Sequence, residues 1–150
     1  NRYIHRTFIR PAQSLRESDI KIKLNPLSSV ISGKKIALMD DSIVRGTTSK
    51  EIVAMLKRAG AKEVHFLVSS PPVKYPDFYG IDTPRQNQLI AAVKTIEETK
   101  NYIQADSLNY LSYKGMIKAT KLPKNHLCTA CFSGEYPISI GSRIKDLKII

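Results

Sequence analysis

The chain has 150 residues, 42% of them hydrophobic, which is enough to enclose one core and too few to favour two. Lysine and arginine number 24 against 13 aspartates and glutamates, and the resulting +11 calls for an anionic partner. No apolar run approaches the ~20 residues of a membrane-spanning helix. The opening Asn1-Arg-Tyr-Ile-His-Arg6 has no apolar stretch of the secretory kind, so no membrane partner is expected and the parent protein is placed in the cytoplasm.

Nucleic acid is the first anionic partner to weigh. The cations (Arg10, Arg16, Lys34, Lys57, Lys62, Lys118, Lys124 among them) are scattered, with no basic block and no interleaved aromatic platform, so none is expected. A phosphorylated small molecule accounts for part of the excess. The two cysteines stand in one C-x-x-C pair, Cys128 and Cys131, too few for a disulfide framework; a metal, a redox pair and two plain thiols all stay open. Asn1, with no methionine before it, reads as the interior of a longer polypeptide.

From Arg6 to Arg16 neither a period of 2 nor one of 3.6 holds, and Pro11 interrupts the segment, which predicts a loop or a short strand followed by a loop. Leu24-Asn-Pro-Leu-Ser-Ser29 reads as turns. Ile36-Ala-Leu-Met39 is a short continuous apolar run, the pattern of a buried parallel strand, and it stops at Asp40-Asp41. Thr48-x-x-Glu51 matches a capping box, Ile52, Val53, Leu56 and Ala59 make an apolar helical stripe, and Gly60 is placed to close the helix. Val64-His-Phe-Leu-Val68 predicts a second strand and hence a right-handed β-α-β unit over 36–68. The fold class is therefore α/β. A Pro- and Tyr-rich loop runs to about Pro84, a helix follows from Gln88, and Thr95-x-x-Glu98 opens another through Ile103. Ser107 to Leu111 reads as a strand and Ser112 to Thr120 as a small helix, followed by a tail holding the cysteines.

The chemistry concentrates where the first strand ends. In an open parallel sheet ligands bind beyond the carboxyl ends of strands, so Asp40 and Asp41 lie where a substrate would sit. Adjacent carboxylates repel, and a bound diol or divalent cation relieves that repulsion. Ser42, Ile43, Val44, Arg45, Gly46, Thr47 and Thr48 then supply hydroxyls and a flexible backbone whose N–H groups can wrap an anion at a helix N-terminus. The pattern is neither G-x-x-x-x-G-K-[ST] nor G-x-G-x-x-G, since one glycine follows two acids. An acid pair with Ser and Thr is by itself also an ordinary capping turn; apolar strand, D-D-S-x-x-x-G-T-T and amphipathic helix together resemble the phosphoribosylpyrophosphate (PRPP) signature of type I phosphoribosyltransferases. His65, mid-strand and away from the loop, reads as structural, and His126 beside Cys128 has no evident fourth partner for zinc.

The resemblance extends along nearly the whole chain. Arg6-Thr-Phe-Ile-Arg-Pro-x-Gln-x-x-Arg16, Lys23-Leu-Asn-Pro26, Asp40-Asp-Ser-Ile-Val-Arg-Gly-Thr-Thr48, Gly60-Ala-x-x-Val-His65, Ser70-Pro-Pro72, Tyr79-Gly-Ile-Asp82, Asp106-Ser-Leu108 and Cys128-x-x-Cys-Phe-x-Gly-x-Tyr-Pro137 resemble the amidophosphoribosyltransferase family, in order. That likeness implies a type I phosphoribosyltransferase sheet flanked by helices, incomplete in these residues: a domain over 1–120, whose loop 1–16 closes over PRPP, and a tail over 121–150. It implies transfer of phosphoribosyl from PRPP to ammonia, giving 5-phosphoribosylamine at the first committed step of purine synthesis. The ammonia would come from glutamine through an N-terminal glutaminase domain, in a homo-oligomer. Asp40 and Asp41 would bind the ribose hydroxyls and magnesium (Mg2+), and Ser42 through Thr48 the 5-phosphate. Tyr3, Arg6 and Gln13 would belong to the closing loop, Arg6 stabilising charge on departing pyrophosphate.

Some members of the family carry a 4Fe–4S cluster on four cysteines, two of them matched by Cys128 and Cys131. Asp77 stands where those members have a third, so no four-cysteine cluster is expected. The tail should instead hold by packing, with Phe132, Tyr136 and Pro137 against the sheet domain and two mostly buried thiols. Two rivals compete: a non-catalytic PRPP-sensing regulator that binds DNA, favoured by the +11 charge, and a salvage transferase, for which no base-recognition hood is found.

Overall fold

The computed structural model describes residues 25–81, 83 and 85–147. One helical turn, α1 (Ser28–Ile31), stands where turns were expected. It leads through Gly33 into β1 (Lys35–Asp40), and α2 (Thr47–Arg58) connects β1 to β2 (Glu63–Val68). A 3-10 turn over Gln86–Gln88 precedes α3 (Ile90–Val93) and α4 (Ile96–Ile103), so the helix expected from Gln88 is broken into two short turns. β3 (Ser107–Tyr110), α5 (Tyr113–Thr120), a 3-10 turn at Lys124–His126, α6 (Ala130–Ser133) and a 3-10 stretch over Gly141–Leu147 complete the order. The tail thus contains short helical turns that its sequence pattern did not reveal.

The three strands form one parallel sheet in the order β1-β2-β3, with Ile36 opposite Val64 and Phe66 opposite Leu108. Helices α2 and α4 cover one face, where Val53, Val64, Phe66, Ile103 and Leu108 pack into a single buried cluster. Each such side chain, fully withdrawn from water, contributes roughly 1.5–3 kcal/mol. The continuous apolar run 36–39 predicts a β1 buried on both faces, but among the described residues only one is covered. Ala37 lies exposed on the other, and Met39 is 70% exposed.

The helix ends follow local rules with one correction. Gly60, at φ 93°, closes α2 as expected: its N–H donates to the Lys57 carbonyl and that of Ala61 to the Leu56 carbonyl, the double bond of a Schellman turn. At the other end the expected Thr48–Glu51 capping box does not form. The helix starts two residues earlier, with Gly46 as its N-cap, so Thr48 already lies in the first turn. At α4 the box is complete: the Glu98 N–H donates to Thr95 Oγ1 (3.2 Å) and the Thr95 N–H to Glu98 Oε2 (2.7 Å). Thr95→Ala is expected to cost about 1 kcal/mol locally. Faster amide hydrogen exchange confined to residues 96–99 of the full-length protein would register it; unchanged exchange there would show that the cap contributes nothing.

Polar contacts pin the amino ends of the strands. Asp106 accepts the Val64 N–H at 2.7 Å, which holds its carboxyl below the usual range, and its own N–H donates to the Val64 carbonyl. His65 bonds Ser107 Oγ (2.9 Å) and Glu63 Oε2 (3.0 Å), with Lys35 bridging to Glu63. These contacts tie the strands to one another, the role read from its mid-strand position.

Candidate functional site

Asp40 is the last residue of β1 and Asp41 the first beyond it, so both acids stand at the carboxyl end of the sheet. The Asp41 N–H donates to Asp40 Oδ1 (3.0 Å), and the Ser42 hydroxyl donates to Asp41 Oδ1 (2.9 Å). Half-burial raises the Asp40 carboxyl above its usual range; the Asp41 N–H opposes this and the Asp41 charge adds to it. A neighbouring cation would reverse that rise.

The chain then dips into the core. The Ile43 side chain is 1% exposed and belongs to the buried cluster, so of Ile43 only the main chain faces the loop. Gly46 takes φ 78°, a left-handed conformation that glycine adopts without strain, and turns the backbone directly into α2. Among the described residues no side chain caps the helix at Gly46, so its first N–H groups can meet a ligand acceptor, and the helix dipole adds partial positive charge there. Two carboxylates, a hydroxyl, a tight glycine turn and an uncapped helix start follow one another within nine residues. That arrangement suits a ligand carrying both a diol or metal and a phosphate.

Tyr3, Arg6 and Gln13 lie outside the described residues. Among those described, Asp40 through Thr48 run consecutively from the end of β1 through a short loop into the first turn of α2. A cavity of about 560 Å³ lies elsewhere, in the tail, among Lys124, Leu127, Thr129, Glu135 and Tyr136. The loop itself is an open cradle.

Sequence reasoning missed the residues beneath the loop. The Ile90 N–H donates to the Val44 carbonyl (2.9 Å), and Arg45 Nη2 donates to Gln88 Oε1 (3.3 Å). Only the apolar run after Gln88 hinted at this segment, and nothing in it indicated what it touches.

No family model matches the chain. Its sequence is 55% identical to the amidophosphoribosyltransferase of Synechococcus elongatus over all 150 residues. It is 49% identical over 144 residues to that of Bacillus subtilis, covering 93% of this chain. The chain belongs to the amidophosphoribosyltransferase family. It spans about 30% of the length of those relatives. A solved Bacillus subtilis glutamine PRPP amidotransferase, in complex with ADP and GMP, superposes with a TM-score of 0.78 at 49% identity, over 95% of this chain and 32% of that one. A structure described as the allosteric regulatory enzyme of purine biosynthesis gives 0.75 at 44% identity, over 95% and 31%. The parallel sheet with its flanking helices is therefore part of a type I phosphoribosyltransferase fold. Among the described residues no helix is long and apolar enough to cross a membrane.

Where the family resemblance implies a third cluster cysteine, this chain has Asp77. Asp77 Oδ2 accepts the N–H groups of Tyr79 (3.0 Å) and Ile81 (2.8 Å), so its carboxylate caps a turn. Burial pushes the Cys131 thiol up, and the charges of Asp77 and Cys128 add to the rise. Cys128 is exposed and Cys131 half-buried, against the expectation of two mostly buried thiols. The tail is tied to the sheet domain through residues 74–79 and through Tyr113, whose OH pairs with Thr129 Oγ1 at 2.9 Å. Tyr136 OH donates to the Pro76 carbonyl (2.8 Å), Tyr79 OH to the Ile138 carbonyl (2.6 Å), and the Lys74 and Tyr75 N–H groups to the Cys131 carbonyl. Phe132 and Tyr136 are half-buried and Pro137 is exposed, so the expected packing of Pro137 does not occur. Among the described residues no three His, Cys, Asp or Glu side chains are grouped to hold a metal. Anaerobically purified full-length protein is expected to lack stoichiometric iron and sulfide; about four irons per chain with broad absorbance near ~400 nm would overturn this.

Proposed function

We propose that this segment is the PRPP-binding part of an amidophosphoribosyltransferase that joins ammonia to C1 of PRPP, releasing pyrophosphate and forming 5-phosphoribosylamine in purine synthesis. The observation that carries this reading is the passage from the Asp40–Asp41 pair through left-handed Gly46 into the uncapped start of α2. In it, Asp40 and Asp41 bind the ribose hydroxyls. The hydroxyls of Ser42, Thr47 and Thr48, with the main chain from Ile43 to Gly46, receive the 5-phosphate.

Asp40 and Asp41 would also hold magnesium. Two carboxylates are what that ion takes from a protein when it keeps waters and substrate oxygens as its other ligands, and the raised Asp40 carboxyl is a group a cation stabilises. Bound there, magnesium supplies charge neutralisation for the pyrophosphate group. Residues 1–16 form the loop that closes over PRPP, with Tyr3 and Gln13 contacting it and Arg6 offsetting charge on the leaving pyrophosphate; closure excludes water that would otherwise hydrolyse the activated sugar. Residues 1–120 make up the transferase domain and 121–150 its tail. A glutaminase domain supplies ammonia from glutamine, and the full-length protein is a cytoplasmic homo-oligomer.

The test is pyrophosphate release from PRPP and magnesium by the full-length polypeptide, with ammonium salt as nitrogen donor. Ammonia-dependent release supports the proposal. PRPP binding without release, together with salt-sensitive retention on DNA, would replace it with the regulator reading.

A further inference from the structure

We infer that Gln88 and Ile90 are positioning residues that set the shape of the phosphate cradle from below, an inference that rests on the PRPP reading of that cradle. Three contacts join them to it. The Ile90 N–H donates to the Val44 carbonyl at 2.9 Å, fixing the middle of the loop. Gln88 Oε1 accepts from Arg45 Nη2 at 3.3 Å, holding the residue just before the glycine turn. The point where a Cβ would project from Gly46 lies 2.7 Å from Ile90 Cδ1 and 3.2 Å from the Tyr102 ring, so the turn rests directly on the Ile90 side chain.

The supporting segment is itself restrained. Ile90 is 4% exposed within the core cluster, and Gln86 Nε2 donates to the Lys74 carbonyl at 3.1 Å on the far side. A loop whose N–H groups must converge on one phosphate needs such a rigid base, because a catalytic or binding group misplaced by a fraction of an ångström loses much of its effect. Val44 and Arg45 are held in main chain and side chain, Gly46 by contact, and the free N–H groups that follow inherit their direction.

The experiment measures the KM for PRPP and kcat with ammonium salt in the full-length protein, alongside the melting temperature. Gln88→Ala removes the acceptor on an exposed residue, and Ile90→Val removes only the Cδ1 atom beneath Gly46. Each is expected to raise KM roughly threefold to tenfold, the range for one weakened polar or packing contact, with kcat within about twofold; melting is expected to stay unchanged in Gln88→Ala and to fall slightly in Ile90→Val, which loses a buried methyl. Gln88→Glu, which keeps an acceptor and adds charge opposite Arg45, is expected to restore the wild-type KM.

An unchanged KM in both variants overturns the inference, provided Asp41→Asn in the same protein lowers synthesis by about a hundredfold or more. If Asp41→Asn leaves synthesis intact, the PRPP reading itself fails. A lowered melting temperature in Gln88→Ala that Gln88→Glu does not restore would make the contact structural only, and also overturns it.

Discussion

Asp41→Asn in the full-length protein is expected to lower ammonia-dependent phosphoribosylamine synthesis by about 10²–10³, the usual loss when a charged group placed at a reacting centre is neutralised. Asp41 stands one residue past the end of β1 with Oδ1 already accepting the Ser42 hydroxyl, so the substitution keeps shape and removes charge. Both proposed partners of that charge, a ribose hydroxyl and magnesium, are weakened together. Basal glutamine hydrolysis, which belongs to a separate domain in the proposal, serves as the folding control and should persist. Synthesis at the wild-type rate with hydrolysis intact would remove Asp41 from the site.

The second large effect is expected at Gly46. Its φ of 78° is costly for a β-branched residue, on the order of 1–3 kcal/mol, and its absent Cβ leaves room that Ile90 Cδ1 and the Tyr102 ring already fill. Gly46→Val must therefore either distort the turn or displace its base, and PRPP affinity should fall roughly tenfold to a hundredfold, at 1.4 kcal/mol per tenfold. Calorimetric titration with PRPP and magnesium reads the loss directly. Gly46→Ala, which meets the left-handed strain with less bulk, should lose less. Wild-type affinity in the valine variant would show that phosphate binds elsewhere.

The two predictions differ in where their grounds lie. Asp41 is legible from the sequence, because an apolar strand ending in acids and leading into a helix is a string of neighbours whose meaning depends only on order. The same holds for the Thr95 capping box, whose partners are three residues apart, and for Gly60, whose role is decided within one helical turn. For Gly46 the sequence suggested only a backbone that a side chain would disturb. What it would collide with, Ile90 and Tyr102, is more than forty residues away.

The parallel β-α-β connection, the acid pair at the strand end and the likeness to the family were all present in the sequence, since each rests on local periodicity or contiguous motifs. Tertiary structure decided the rest. Thr48 failed as a cap because Gly46 turned the chain two residues earlier, and Ile43 left the ligand-facing surface because its side chain packs into the buried cluster. Asp77 became a turn cap because the N–H groups of Tyr79 and Ile81 converge on it, and Cys128 lies exposed while its neighbour Ala130 is buried. Gln88 reaches Arg45 across 43 residues of sequence, a pairing created only when the segment after the long loop packs beneath the cradle. Such contacts join side chains whose separation carries no periodic signal, and only the folded chain brings them within bonding distance.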